Sequence, residues 1–361
     1  MRSGRVSPLQ VSKFTHLRGQ YHKPFLSICI PTWNRCDALG RQLRFLLKEV
    51  SGLDSVEVCV SDNGSTDRTR EILISWKDRF ERFQFQSLSS NLGYDRNVVE
   101  VARMASGEYI WLLSDDDILI SGSVKKILGY LESWKPCVLI LNFLRPNIYG
   151  YLKPFFKLEE DILLNEPSPD FCPFSLAGKI SSCVIKKDKI DFSLYPKFIG
   201  TGYMQNVLVC SALLSEYCLL ISKECFIEED VEGLYVARYS PKDIVITTAK
   251  LYDDLIESFP YLGITFKKDS LLGWLKLYYA GKIGTWKVPD RFGIWDLVEV
   301  MRIFKFRALM PSNFKSIVSP LLPRRVAIII DRFRSRTLPS QMRIAKERHI
   351  ETISRIAYKK R

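Results

Sequence analysis

The segment "GEYIWLLSDDDIL", Gly107–Leu119, joins a run of apolar residues directly to three adjacent carboxylates. Its first half, Tyr109–Leu113, has the length and composition of a buried strand. Asp115, Asp116 and Asp117 follow at once. Negative charge at the end of a buried strand needs either water or a compensating cation. The segment therefore predicts one of two things: a ligand site at a strand end, or a solvated loop that caps the next helix.

Short apolar runs alternate with helical patterns of 10 to 15 residues on both sides of this segment. Strands are predicted at 25–31, 56–62, 83–88, 109–114 and 137–143, and less regular ones at 180–187 and 217–222. This alternation predicts an α/β fold, with a mostly parallel sheet covered by helices on both faces. Ligands of such sheets bind beyond the carboxyl ends of the strands, so the residues that follow each strand are the candidates for function.

Small polar residues, an arginine and glycines follow the predicted strands. The candidate residues are Pro31, Thr32, Asn34 and Arg35 after the first strand, Asp62, Asn63, Gly64 and Ser65 after the second, Asn91, Gly93, Arg96 and Asn97 after the third, and Asp115, Asp116 and Asp117 after the fourth. Such groups suit a base, a ribose and a diphosphate. Carboxylates repel a diphosphate unless a hard cation bridges the two, so we expect Mg²⁺ or Mn²⁺ beside the acids.

The segments "SICIPTWNRCDALGRQL", "VEVCVSDNGSTDRT" and "NLGYDRNVVEVARMASGEYIWLLSDDDIL" resemble the successive motifs of family 2 glycosyltransferases with the GT-A fold. The resemblance covers roughly residues 25–144. It implies inverting transfer of a hexose or deoxyhexose from a nucleotide-sugar to a glycan or lipid-linked glycan in bacterial surface-polysaccharide assembly of the O-antigen type.

The resemblance also implies roles for the candidate residues. Pro31, Thr32, Asn34 and Arg35 would line the nucleotide pocket, Asp62 would bind the base, and the 91–97 residues would frame the ribose and diphosphate. The acids would form a DxD-type motif, with Asp116 and Asp117 towards the metal and Asp115 towards the ribose. The commonest form of that motif, "LDADD", has an aspartate where this chain has Ser114.

The general base of the inverting reaction stays unassigned. In the family it is an acid at the start of a later helix, and the corresponding stretch here is "FIGTGYMQNVLV". No carboxylate lies between Phe198 and Ser215. Asp170 and Asp191 are weak candidates, for which ordinary surface charge is the competing interpretation.

The positive charge of the chain is concentrated at its end. Residues 281–361 contain 19 Lys+Arg and 6 Asp+Glu, a net charge of +13, and the other 280 residues contain 34 of each sign. We predict a basic mobile arm at 1–24, a GT-A catalytic domain at 25–240 and a basic helical region at 241–361. The catalytic domain would divide into a nucleotide-binding half at 25–144 and an acceptor half at 145–240.

Aromatic residues are interleaved with the basic ones in the 241–361 region, which favours binding to an anionic membrane surface over a simple solvated face. We expect a peripheral protein on the inner face of the cytoplasmic membrane. Nucleic acid is not expected as a partner, because no recognised binding module accompanies the charge. The nine cysteines are scattered and no zinc-type spacing exists, so reduced thiols in the cytoplasm are expected.

Two other functions are consistent with the same strand-end residues. A non-catalytic scaffold of this fold would bind the nucleotide or glycan without turnover, which the missing acid near Phe198 favours. A sugar nucleotidyltransferase would share the α/β class. It is disfavoured because the first strand lacks the glycine-rich signature of such enzymes.

Overall fold

A computed structural model describes residues 23–146, 151–167 and 177–229, together with Leu251, Asp254, Leu255 and Ser258. The strands are β1 Leu26–Thr32, β2 Val56–Asp62, β3 Phe83–Ser87, β4 Tyr109–Leu112, β5 Ile118–Leu119, β6 Val138–Pro146, β7 Leu152–Pro154, β8 Ile162–Leu164, β9 Cys183–Lys186 and β10 Leu219–Glu228. The helices are α1 Cys36–Val50, α2 Thr69–Trp76, α3 Tyr94–Met104, α4 Ser123–Trp134 and α5 Met204–Ser215. The short strands β5, β7 and β8 were not predicted, since two or three residues carry no periodic signal.

All ten strands form one sheet with the order β3-β2-β1-β4-β9-β6-β10-β5, and β7 and β8 pair with β6 and β10. Six strands run in one direction: β1, β2, β3 and β4 pair in parallel, and so do β6 and β10. Strand β9 lies antiparallel between β4 and β6. The α/β fold with a mostly parallel main sheet is confirmed.

The antiparallel direction of β9 has a consequence for the edge of the sheet where the parallel strands end. Its last residue, Lys186, pairs with Tyr109, the first residue of β4. The residues that precede β9, 177–182, therefore lie beside the carboxyl ends of the parallel strands. A segment far along the chain is brought to the edge where the candidate residues are expected.

The sheet separates two hydrophobic clusters, one on each face. Leu26, Ile28 and Ile30 of β1 pack with the α1, α2 and α4 side, whereas Cys29 packs with the α3 and α5 side. This alternation is the period of two that a strand imposes on its side chains. The apolar positions of α1, at Leu39, Leu43, Leu46 and Val50, repeat every three or four residues and form its buried face.

Part of the chain falls outside the described residues. The predicted arm at 1–24 is described only from residue 23. Of the predicted basic helical region at 241–361, only Leu251, Asp254, Leu255 and Ser258 are described, and they are helical. Among the described residues no helix is both long and apolar enough to cross a membrane.

Gly64 lies where the loop after β2 packs closely on the loop after β3. Its φ is +67°, and a Cβ there would lie 2.5 Å from the carbonyl carbon of Ser90. We expect Gly64→Ala to lower the free energy of unfolding by roughly 1–2 kcal/mol for the conformation and 1–3 kcal/mol more for the displaced backbone. Urea denaturation measures the loss.

Gly52→Ala is the matched control. Gly52 has a φ of +72°, but a Cβ there would meet nothing within 4 Å. Only the conformational cost of roughly 1–2 kcal/mol should appear. Equal losses in the two variants would contradict the close approach at Gly64.

Candidate functional site

The four predicted strand-end segments meet at one edge of the sheet, because β3, β2, β1 and β4 are adjacent and parallel. The side chain of Asn97, in the first turn of α3, donates from Nδ2 to the carbonyl oxygens of Thr32 (3.2 Å) and Ser61 (3.1 Å). The backbone N–H of Asn63 also donates to the Thr32 carbonyl, at 3.0 Å. Asn97 therefore fixes the ends of β1 and β2 relative to α3.

The loops after β1 and β2 are joined by side-chain hydrogen bonds. Asn34 adopts a φ of +53°, donates its N–H to Ser65 Oγ at 2.8 Å and accepts the Thr66 N–H through Oδ1 at 2.7 Å. The buried carboxylate of Asp62 accepts the Ser65 N–H at 3.0 Å. Asn34, Asp62 and Ser65 thus hold the two loops together, and Pro31 is half-buried one residue before the end of β1.

The loop before α3 is held by a pair of asparagines. Asn63 Nδ2 donates to Asn91 Oδ1 at 2.9 Å, and Asn63 Oδ1 accepts the Leu92 N–H at 2.8 Å. Gly93, with a φ of +88°, precedes the helix. Arg96 is exposed in the first turn of α3. The structure therefore brings all the predicted residues of this segment to the same edge.

Asp115 and Asp116 share one arginine. Thr32 Oγ1 donates to Asp115 Oδ2 at 2.7 Å, and Arg35 Nε lies 3.0 Å from Asp115 Oδ1, an ion pair in which the N–H does not point at the oxygen. The other end of the Arg35 guanidinium donates to Asp116 Oδ2. Ser114 Oγ donates to Asp116 Oδ1 at 2.5 Å. Asp115 is buried, whereas the Asp116 side chain is 22% exposed.

Asp117 has different partners from the other two acids. It is 3% exposed, and its carboxylate accepts from Lys179 Nζ at 2.7 Å and from Ser181 Oγ. Burial raises the pKa of Asp117, and the ammonium of Lys179 and the hydroxyl of Ser181 oppose that rise. Both oxygens are thus engaged by the segment before β9. The expectation that Asp117 binds a metal together with Asp116 stays a prediction.

The described residues contain no cluster of three or more His, Cys, Asp or Glu side chains suited to a metal ion.

The position of Lys179 and Ser181 explains why sequence reasoning missed them. They reach Asp117 only because β9 runs antiparallel, and nothing in their local sequence marks that direction. Trp111 Nε1 donates to the Ser181 carbonyl at 2.8 Å and adds to this packing.

Of the two candidate bases, Asp170 lies outside the described residues, so only Asp191 can be placed. Asp191 is exposed and follows β9, so it lies near the opposite edge of the sheet, where its N–H donates to Ser211 Oγ at 2.7 Å. Hydrogen bonds from Ser193 lower the pKa of Asp191. Because β9 runs antiparallel, the chain that follows it leads away from the carboxyl ends of the parallel strands, and Asp191 therefore does not reach them.

A buried acid that the sequence reasoning passed over lies beside the start of α5. Asp95 accepts the backbone N–H groups of Gly200 (2.7 Å), Gly202 (3.0 Å) and Met204 (3.3 Å). A sequence signal existed: Asp95 precedes the buried Val98 and Val99 of α3 by three and four residues, so it falls on the buried face of that helix.

Comparison with known proteins finds a family match over the part of the chain that contains β1 to β4. Residues 27–180 match the family described as "Glycosyl transferase family 2". The abequosyltransferase RfbV of Salmonella typhimurium is 28% identical over 216 residues, which are 54% of this chain and 63% of that protein. The GalNAc(5)-diNAcBac-PP-undecaprenol beta-1,3-glucosyltransferase of Campylobacter jejuni is 27% identical over 122 residues, 32% of this chain and 39% of that protein. The chain thus spans less than two thirds of the length of these curated relatives.

The fold is similar to that of a solved structure. S. aureus TarS 1–349 in complex with UDP-GlcNAc superposes with a TM-score of 0.53 and 16% identity, over 88% of this chain and 91% of that one. At this identity the likeness concerns the fold alone.

Lys179→Met should destabilise the protein by about 3–5 kcal/mol, because it leaves the buried Asp117 without its cation. Asp117→Asn together with Lys179→Met should recover much of that loss, since the uncompensated charge is then gone. Thermal or urea unfolding of the two single variants and the double variant measures the coupling. Additive losses would contradict the ion pair.

The loss in Lys179→Met should also depend on pH. The pKa of Asp117 is raised in the folded protein, so the native state holds this proton more tightly than the unfolded state does. Stability therefore falls as the pH rises from the ordinary aspartate range through the raised pKa. Removing Lys179 should raise the pKa of Asp117 further and so widen the pH range over which stability falls. The stability loss in Lys179→Met should therefore be smaller at acid pH than at neutral pH.

Proposed function

We propose that this chain, whose residues 27–180 form a family 2 glycosyltransferase domain, transfers a sugar from a nucleoside-diphosphate sugar to a glycan acceptor. The observation that carries the proposal is the meeting of four polar segments at the carboxyl ends of β1 to β4. Ligands of open α/β sheets bind at this edge. The relatives named above, which are sugar transferases, support the same activity.

The donor would lie across the ends of β1 and β2. Asp62 and the loop after β1 would receive the base, while Asn91, Gly93 and Asn97 would frame the ribose and diphosphate. Arg35 and Arg96 supply positive charge for that diphosphate. Because Asn34, Asn63 and Asn97 are already fixed by hydrogen bonds, the pocket would bind the donor with little reordering.

The residues present fit a divalent metal held mainly by the donor. Asp115 and Asp116 contact the same guanidinium, that of Arg35, and the side chain of Asp116 is 22% exposed, so a cation can approach it. Asp116 is the least buried of the three acids and would be the first protein ligand, since one or two carboxylates usually hold Mg²⁺ beside substrate phosphates. When bound, the metal would neutralise charge on the departing diphosphate.

Inverting transfer requires a group that takes the proton of the acceptor hydroxyl. Among the described residues at the start of α5, none is a carboxylate: Tyr203, Met204 and Gln205 occupy that position. This observation favours a second candidate function, a scaffold that binds the nucleotide without turnover. Release of nucleoside diphosphate from a nucleotide-sugar distinguishes the two functions.

A lipid-linked acceptor agrees with the name of the Campylobacter jejuni relative, which acts on an undecaprenol-linked glycan. It also agrees with the net charge of +13 in residues 281–361. We infer a peripheral enzyme of surface-polysaccharide assembly on the inner face of the cytoplasmic membrane. The 281–361 region would bind anionic lipid, at about 1 kcal/mol for each basic residue near the surface.

UDP, GDP, CDP and dTDP, each with and without Mn²⁺, form the first test of the donor site. One nucleotide should raise the melting temperature, and more so with metal. A ligand at a hundredfold over its Kd adds about 2.7 kcal/mol of stability. The absence of a shift with all four nucleotides would contradict the proposed function.

Asp116→Asn should abolish the part of this thermal shift that depends on Mn²⁺, because the ligand charge is lost. Asp191→Asn is the matched control, since it changes an exposed aspartate near the opposite edge of the sheet. Metal dependence that survives in Asp116→Asn would remove Asp116 as the ligand.

Full-length protein should cosediment with vesicles of anionic lipid at low salt and be released at high salt, because surface charge attraction is screened. Vesicles of neutral lipid are the control. Equal binding to both kinds of vesicle would contradict an electrostatic membrane contact.

A further inference from the structure

The buried carboxylate of Asp95 has no part in the donor or metal roles proposed above. It is the second residue of α3 and is 4% exposed. Oδ2 accepts the N–H groups of Gly200 and Gly202, and Oδ1 accepts that of Met204. Burial raises the pKa of Asp95, and these backbone hydrogen bonds oppose that rise. All three donors come from one short segment of the acceptor half.

The 200–205 segment depends on this carboxylate for its conformation. Gly200 and Gly202 have φ values of +90° and +72°, which turn their N–H groups to the same side. Met204 is the first residue of α5, whose N-cap residue Tyr203 makes no side-chain capping bond. Asp95 therefore satisfies an N-terminal N–H of α5 from another helix, and its charge is favourable beside the helix dipole.

The same turn of α3 carries the predicted donor residues. Gly93 precedes the helix, exposed Arg96 follows Asp95, and Asn97 contacts the ends of β1 and β2. A single helical turn is rigid, because its residues share backbone hydrogen bonds. A displacement of Arg96 and Asn97 on binding a diphosphate would therefore displace the Asp95 carboxylate as well.

A second pair of contacts extends from this junction towards the acids. Tyr94 donates its hydroxyl to Gln205 Oε1 at 3.3 Å, and Gln205 Nε2 donates to the Gly178 carbonyl at 3.1 Å. Gly178 precedes Lys179, whose ammonium contacts Asp117. Continuous contacts thus link α3, the 200–205 segment and the acidic run.

We propose that Asp95 is a positioning residue that couples occupancy of the donor pocket to the order of the 200–205 segment, which borders the acceptor side. This inference rests on the proposed function. Donor binding would stiffen the first turn of α3, and Asp95 would pass that constraint to three backbone N–H groups. The acceptor side would then be completed only when the donor is in place.

Hydrogen–deuterium exchange of the full chain tests this coupling. The probe is whichever of UDP, GDP, CDP and dTDP, with Mn²⁺, gives the largest thermal shift. In the wild type the nucleotide should slow exchange in peptides that cover 200–205. Asp95→Asn should still bind the nucleotide, exchange about tenfold faster in those peptides without it, and lose the slowing that the nucleotide produces. A slowing that persists in Asp95→Asn overturns the proposal.

Glu57→Gln is the matched control. Glu57 is a buried carboxylate that accepts the N–H groups of Ser106 (2.5 Å) and Gly107 (3.1 Å) just beyond the other end of α3. Its loss should lower stability but leave the nucleotide effect on 200–205 unchanged. If Glu57→Gln removes that effect equally, Asp95 has a merely structural role.

Tyr94→Phe is a milder change at the same junction and serves if Asp95→Asn does not fold. It should weaken the nucleotide effect on 200–205 without removing nucleotide binding, and an unchanged effect would count against the coupling. Nucleotide binding without any change at 200–205 in the wild type overturns this proposal alone. A wild type that binds none of the four nucleotides overturns the proposed function, and this proposal with it.

Discussion

Three adjacent carboxylates at the end of a buried strand must each be compensated, and their partners determine how this edge of the sheet is built. Asp115 and Asp116 share the guanidinium of Arg35, which joins the end of β4 to the loop after β1. Asp117 takes the ammonium of Lys179, which joins β4 to the segment before β9. The acidic run thus contacts one segment that precedes it along the chain and one that follows it.

This division separates two chemical environments. The Arg35 side contains the hydrogen-bonded asparagines and the exposed Arg96, which suit a nucleotide and diphosphate. The Lys179 side is closed: Asp117 is 3% exposed and Lys179 lies over the ring of Phe143 at 5.4 Å. A metal that enters between the acids and a diphosphate would therefore meet Asp116 first, because it alone of the three keeps substantial exposure.

The start of α5 is the place where this chain differs most from what its resemblance implied. The helix begins with Met204 and Gln205, and the acid beside it, Asp95, belongs to α3 and accepts three backbone N–H groups. A carboxylate so engaged is suited to holding a segment in place rather than to taking a proton. The junction therefore connects α3 and the 200–205 segment structurally.

Local sequence determined the longer strands, the helices and the residues at the strand ends, because period, turn chemistry and charge are all encoded within a few residues. Parallel pairing of β1 to β4 then brings their ends together, so the residues Thr32, Asp62, Asn97 and Asp115 could be predicted as neighbours. The partners of Asp117 and Asp95 could not, because they come from segments outside the β1 to β4 arrangement, whose placement local sequence does not encode. Only the tertiary structure decided that β9 runs antiparallel, which delivers Lys179 and Ser181 to the acids and carries Asp191 away from them.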